Sequence, residues 1–288
     1  MKDHKDARII AVPYDSGHRD KRMGAGPSHL LAHGLADAVR ADGRMPSVAT
    51  VSHGREFTAE VATAFELQGI VSDLVRQAVE GGGLPLVISG NCNTAAIGSI
   101  AGVGRGLGVV WFDAHGEFNT PETTTSGFVD GMGLAIAVGR CWKRMASGVP
   151  GFSAVPEANV LMAGVRDADV AERERLDASG VTVVGGGDIE RQGARVFVEA
   201  LDELNSRVGR VYVHLDLDVL DAGKVGRANE FASEGGPSAE GIRCALGMVR
   251  ERFEVVAAGI ASYDPAYDAD GRILRAALAC AKTLTSPA

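Results

Sequence analysis

Residues 113–117, Asp-Ala-His-Gly-Glu, set two carboxylates and an imidazole on alternate positions directly after the apolar run Gly108-Val-Val-Trp-Phe112. That run is rich in β-branched and aromatic types and reads as a strand buried on both faces of a parallel sheet. If extended geometry continues past its end, Asp113, His115 and Glu117 all point the same way. Carboxylate and imidazole are ligand types that suit manganese, zinc or iron. A second run, Val211-Tyr-Val-His-Leu-Asp-Leu-Asp218, carries Asp216 and Asp218 on one face of another strand. Buried aspartates so close together repel unless a cation sits between them. The two segments supply the ligands that a pair of divalent ions with bridging carboxylates requires.

Cys92 stands at a comparable place. The apolar run at 84–89 leads into Gly90, which permits a tight turn before a helix expected over 94–102, so a side chain at 92 can reach the sheet's carboxyl edge. A small thiol packing the start of that helix is the alternative role. His18, in Asp15-Ser-Gly-His-Arg19, and His214, just before the aspartate pair, are candidates for proton transfer, with packing roles as the alternative.

These residues need a scaffold that brings strand ends together. Strands are expected at 7–12, 47–51, 84–89, 107–113, 159–164, 182–186, 212–216 and 256–262, with helical patterns at 27–42, 59–80, 169–179, 194–205, 238–253 and 272–284. Such alternation predicts an α/β fold with a largely parallel sheet of eight strands and intervening helices, either open and doubly wound or closed as a barrel. In an open sheet of this kind ligands bind beyond the carboxyl ends of the strands. No repeat, low-complexity tract or linker divides the sequence, so residues 1–288 are expected to form a single catalytic domain.

Composition limits the partners. A net charge of −8 argues against nucleic acid or an anionic membrane. The charged start Met1-Lys-Asp-His-Lys-Asp6 does not read as a signal peptide, and no apolar run approaches the roughly 18 residues of a membrane span. Cys92, Cys141, Cys244 and Cys280 lack metal-finger spacing and fit a reducing, cytoplasmic setting.

The order of motifs resembles the ureohydrolase family of arginase and agmatinase. Asp113-Ala-His115 followed by Asn119-Thr-Pro and Ser126-Gly is similar to the arginase signature. Asp216-Leu-Asp218 with Asp221 is similar to the family's second aspartate motif, and Gly164-Val-Arg-Asp-Ala-Asp169 to the loop that holds a substrate α-amino group. The resemblance runs from about Ile9 to Pro265. It implies a three-layer fold and two manganese ions, with zinc or iron as alternatives. Asp113 and Asp216 would bridge the ions, His115 and Asp218 would complete one, and Cys92 and Glu117 the other. Asn119, Thr124 and Ser126 would bond an α-carboxylate, and Asp169 would face an α-amino group.

The departures from the family pattern are informative. Cys92 stands where a metal-binding histidine is usual, and Glu117 where aspartate is usual. Asp130 replaces a histidine thought to shuttle protons, and Ser262 a glutamate that grips the guanidinium. A thiolate is a soft ligand for a hard manganese ion and could admit zinc or iron. An amino-acid head with an altered guanidinium pocket suggests a modified arginine, and cysteine in the first metal motif with no proton-shuttle histidine resembles the Nω-hydroxy-L-arginine amidinohydrolases of D-cycloserine biosynthesis, which release hydroxyurea and L-ornithine. Asp218 would act as general acid and base, with Asp130 as a second proton carrier. Hydrolysis of arginine or another guanidino acid, or a binding protein that keeps the fold without metal, are the competing readings. A monomer, or an assembly through some other surface, is expected, because only Thr285-Ser-Pro-Ala288 follows the last helix, where arginases commonly trimerise through a C-terminal extension.

Overall fold

A computed structural model describes residues 6–40, 45–190 and 194–286. Apart from a short hairpin of Tyr14–Asp15 with His18–Arg19, their strands are β1 (Asp6–Val12), β2 (Met45–Thr50), β3 (Leu84–Ser89), β4 (Gly108–Phe112), β5 (Val160–Gly164), β6 (Thr182–Gly185), β7 (Arg210–Asp216) and β8 (Glu254–Ala261). They form one eight-stranded sheet in the order β2-β1-β3-β8-β7-β4-β5-β6, with every neighbouring pair parallel. The expected α/β architecture is therefore present.

The period-2 alternation of the strands sorts their side chains between two cores. Val110, Phe112, Val213, Leu215 and Ile260 face one layer, with Leu246 of α7 (Ala239–Arg252) and Ala277 of α8 (Arg272–Thr285). Val109, Trp111 and Tyr212 face the opposite layer, with Ile97 and Ile100 of α4 (Cys92–Val103). Beside them, Val87 packs on Val71 and Val75 of α3 (Glu60–Glu80). Completely buried central strands explain why these runs read as continuous apolar stretches.

The helix expected over 27–42 is two helices, α1 (Gly26–Ala32) and α2 (Leu35–Arg40), and Asp42 lies outside the described residues. Gly34 at φ +98° takes a left-handed conformation between them, which ends the first helix. The remaining long helices are α5 (Val170–Asp177) and α6 (Arg195–Asn205). None of the described helices is long and apolar enough to cross a membrane.

Four adjacent central strands carry the candidate site. Cys92 follows β3, Ser262 follows β8, Asp216 ends β7 and Asp113 follows β4. At Gly90 an added Cβ would lie 2.3 Å from Tyr14 O and 2.8 Å from Gly24 N. Only glycine lets the loop after β1 press against the end of β3 and thereby close one side of the site.

Candidate metal centre

Asp113 leaves β4 with both carboxylate oxygens engaged. Oδ1 accepts from the His115 backbone N–H at 2.8 Å, and Oδ2 accepts from Trp111 Nε1 at 2.9 Å. This folds the imidazole back, so that His115 Nδ1 lies 3.3 Å from Asp113 Oδ1 and 3.5 Å from Asp218 Oδ2. On the neighbouring strand Asp216 Oδ1 accepts from the Asp218 backbone N–H at 2.7 Å, starting a single helical turn that aims Asp218 at the same place. Cys92 is the first residue of α4, and its Sγ lies 2.9 Å from Asp216 Oδ2 and 3.2 Å from Ser262 Oγ.

Two ligand triads result. Cys92, Asp113 and Asp216 form one, and Asp113, His115 and Asp218 the other, each with ligand atoms within 4.8 Å of one another. Asp113 belongs to both. Glu117 stands apart from these triads because the extended run does not persist: β4 ends at Phe112, and Glu117 takes φ +52°. Its carboxylate is nevertheless buried, and Oε2 has no hydrogen-bond partner.

The electrostatics show what is missing. Burial, then the charge of Asp113 and Asp130, pushes Glu117 well above the usual carboxylate range. Burial, with Asp218 and Asp113 close by, does the same to Asp216. Burial also raises the Cys92 thiol, reinforced by Asp216. Burial opposes charge on Asp218 and on His115 as well, but their mutual attraction holds the carboxylate low and the imidazole high. An orphaned buried carboxylate oxygen beside three more acidic side chains and a thiol fits divalent cations, which would supply the missing positive charge.

A cavity of about 500 Å³ opens above the triads. His115, Glu117 and Asp218 line its floor, and Asn119, Ser126, Asp130, Asp169 and Ser262 line its walls. Asn119 Nδ2 donates to Asp169 Oδ2 at 3.3 Å, whereas its buried Oδ1 has no partner. Thr124 is not among the lining residues, and its hydroxyl accepts from Gly127 N–H at 3.0 Å. Ser126 Oγ accepts from Phe128 N–H at 3.2 Å.

With this geometry in hand the likeness to known proteins becomes specific. The Arginase family model matches residues 5–286. The chain belongs to the arginase family. It is a hydrolase of C–N bonds in linear amidines. The arginase of Brevibacillus brevis is 33% identical over 235 residues, covering 76% of this chain and 77% of the relative. That of Bacillus caldovelox is 31% identical over 232 residues, covering 75% and 77%. The crystal structure of arginase from Bacillus cereus superimposes with a TM-score of 0.87 at 28% identity, covering 98% of both chains.

Within this arginase-family chain several expected residues serve the scaffold. Asp130 takes the backbone N–H groups of Cys92 and Asn93 at 3.1 and 2.7 Å and the side-chain amides of Asn91 and Asn93, both at 2.9 Å. It is an anionic cap on the first turn of α4, although burial still pushes it up to about 7. His214 is fully buried, 2.8 Å from the Tyr212 hydroxyl, and burial pushes it down to about 3. His18 stacks on Phe57 on an exposed hairpin. Asp221 accepts from the Gly223, Lys224 and Gly235 backbone N–H groups and fixes its own loop.

Two site residues were not anticipated from sequence. Glu172, on the first turn of α5, accepts from Phe118 N–H at 2.8 Å and Asp169 N–H at 3.3 Å, so it holds the Glu117 and Asp169 loops together. The spacing Asp169-x-x-Glu172 is the capping-box signal that could have found it. Asn229, 1% exposed, donates from Nδ2 to Asp218 Oδ2 at 3.2 Å and to Ser262 O at 2.8 Å, while its Oδ1 accepts from Phe231 N–H at 2.8 Å. It sits in an irregular loop, where no periodicity marks it.

Proposed function

We propose that this protein hydrolyses Nω-hydroxy-L-arginine to hydroxyurea and L-ornithine, as in D-cycloserine biosynthesis. The observation that carries the reading is the Cys92–Ser262 contact of 3.2 Å beside Asp216. The hydroxyl of Ser262 stands where a strongly basic guanidinium would call for a dedicated carboxylate, and the thiol beside it stands where the family keeps a metal-binding histidine. Arginine's guanidinium has a pKa above about 12, whereas an N-hydroxyl makes the group much less basic, so a neutral substrate is available near neutral pH.

Asp113 and Asp216 would hold both of two manganese ions, with His115 and Asp218 holding one and Cys92 and Glu117 the other, and zinc or iron are alternatives beside the sulfur. Such ions would lower the pKa of a water and so supply the nucleophile for an amidine carbon. Asp218 Oδ2, steadied by Asn229, takes the proton of the attacking water and returns it to the departing ornithine nitrogen. Asn119 and Ser126 would meet the α-carboxylate and Asp169 the α-ammonium group, while Thr124, outside the cavity lining, supports the Ser126 loop through Gly127. Asp130, with four donors on its two oxygens, is assigned to holding α4 and therefore Cys92 in place.

The names of the relatives favour a second reading, arginine itself. Chromatography of products from the manganese-, zinc- and iron-loaded protein separates the two. Hydroxyarginine should be turned over with a kcat/KM at least about 100-fold above that of arginine, the discrimination a site achieves when it is built around a different polar group. Comparable values, or urea as the faster product, would sink the hydroxyarginine assignment.

A further inference from the structure

The mouth of the cavity combines two features that the metal centre does not explain. The first is aromatic. Phe128, on the loop after β4, and Phe231, on the loop after β7, bring their rings to 6.0 Å between centroids with 36° between planes. Both line the cavity, and Phe231 is 43% exposed. Phe128 is half-buried and Phe231 exposed, and an aromatic pair that forgoes part of its burial is a candidate contact surface.

One side of the pair is tied to the site. Asn229 Oδ1 accepts the Phe231 N–H while its Nδ2 donates to Asp218 Oδ2 and Ser262 O, whereas the Phe128 N–H is held locally by Ser126 Oγ.

The second feature is charge. Asp167, Asp169 and Glu230 are exposed at the same mouth, and no lysine or arginine lines the cavity among the described residues. Phenyl faces and carboxylate oxygens share one preference, for a cation.

We propose that Phe128 and Phe231, with Glu230 beside them, form an aromatic and acidic clamp that selects substrates whose far end carries an ammonium group. The inference rests on the amino-acid reading of the substrate and adds the residues that recognise it beyond Asp169. The ammonium group sits against the phenyl faces, the alkyl chain runs down to the metal centre, and the two rings shed water from the opening when it is bound.

Calorimetric titration of the manganese-loaded protein with L-ornithine, and with 5-aminopentanoate, which lacks only the α-ammonium group, tests this clamp. The unsubstituted protein should bind ornithine at least about 10-fold more tightly. Phe231→Leu and Phe128→Leu should each weaken ornithine by about 3- to 10-fold while changing 5-aminopentanoate by less than about 2-fold, and Phe231→Tyr should restore the preference. Equal losses for both probes, no loss for either, or no preference in the unsubstituted protein would overturn the clamp. The hydroxyurea assay is independent: its failure with the ornithine preference intact removes hydroxyarginine and leaves the clamp standing.

Discussion

Two buried clusters of carboxylates lie side by side at the carboxyl edge of the sheet, and they are built on opposite principles. In the first, Asp130 receives four N–H groups, and Asp15, whose Oδ2 makes no hydrogen bond, has the Arg22 guanidinium 2.9 Å away as its counter-charge and accepts from Asn91 Nδ2 through Oδ1. In the second, Asp216, Asp113, Asp218 and Glu117 face one another with His115 as their cationic neighbour, and Glu117 Oε2 has no partner. The paired cluster fastens α4 to the loops. The starved cluster stores unbalanced charge, which costs stability in the absence of ions and becomes affinity in their presence.

That contrast can be broken most severely at Asp216. Asp216→Ala should remove both ions and lower activity by at least about 1,000-fold, as expected when a two-metal site is dismantled. Elemental analysis that still finds two metals per chain with full turnover would refute the ligand assignment. A more selective change is Cys92→Ser, which should lose mainly one ion, whereas Cys92→His should keep two without gaining arginine turnover.

Asn229 links the starved cluster to the rim. Asn229→Ala should weaken metal binding by about 10- to 100-fold, the effect usual for residues that orient a ligand. Competition with a chelating dye reads this directly, and an unchanged affinity would confine Asn229 to the loop. The two clusters should then respond oppositely in chelator-treated protein. Asp130→Asn should destabilise by about 1–3 kcal/mol through repelled or unpaired buried donors. Asp216→Asn should be neutral or stabilising, because it relieves repulsion. Destabilisation of similar size in both variants would erase the distinction.

The smallest expected effect is a trend with pH. In the metal-free fold Glu117 and Asp216 are raised well above ordinary carboxylates and Asp130 sits near 7. These groups bind protons more tightly when folded, so the stability they confer is present at low pH and is lost as pH rises through those values. Melting temperature of chelator-treated protein should fall between about pH 6 and pH 8. Added manganese should flatten or reverse the slope.

Much of this was legible in the sequence because the starved cluster sits on regular elements. Asp113 and Asp216 lie at the ends of apolar runs whose length and β-branched content set the strand ends within a residue or two. Glu117 shows where periodicity stops carrying information, since its left-handed backbone belongs to a loop and not to a strand. The break at Gly34 was hidden for a related reason: the apolar spacing of α1 and α2 continues across it, and one glycine within a helical pattern is a weak signal. Asn229, Phe128 and Phe231 depend on how distant loops meet, and no local pattern encodes that meeting.

The order of strands in the sheet has a consequence for the kinetics of folding. Cys92 and Asp216 are separated by 124 residues, and Cys92 and Ser262 by 170, because the last two strands in the sequence fill the centre of the sheet. The metal ligands therefore assemble only after the most non-local contacts have closed, which is the slow part of folding. An ion cannot template so late an event. Manganese should leave the refolding rate nearly unchanged and instead slow unfolding, so its benefit to the protein would be persistence once folded.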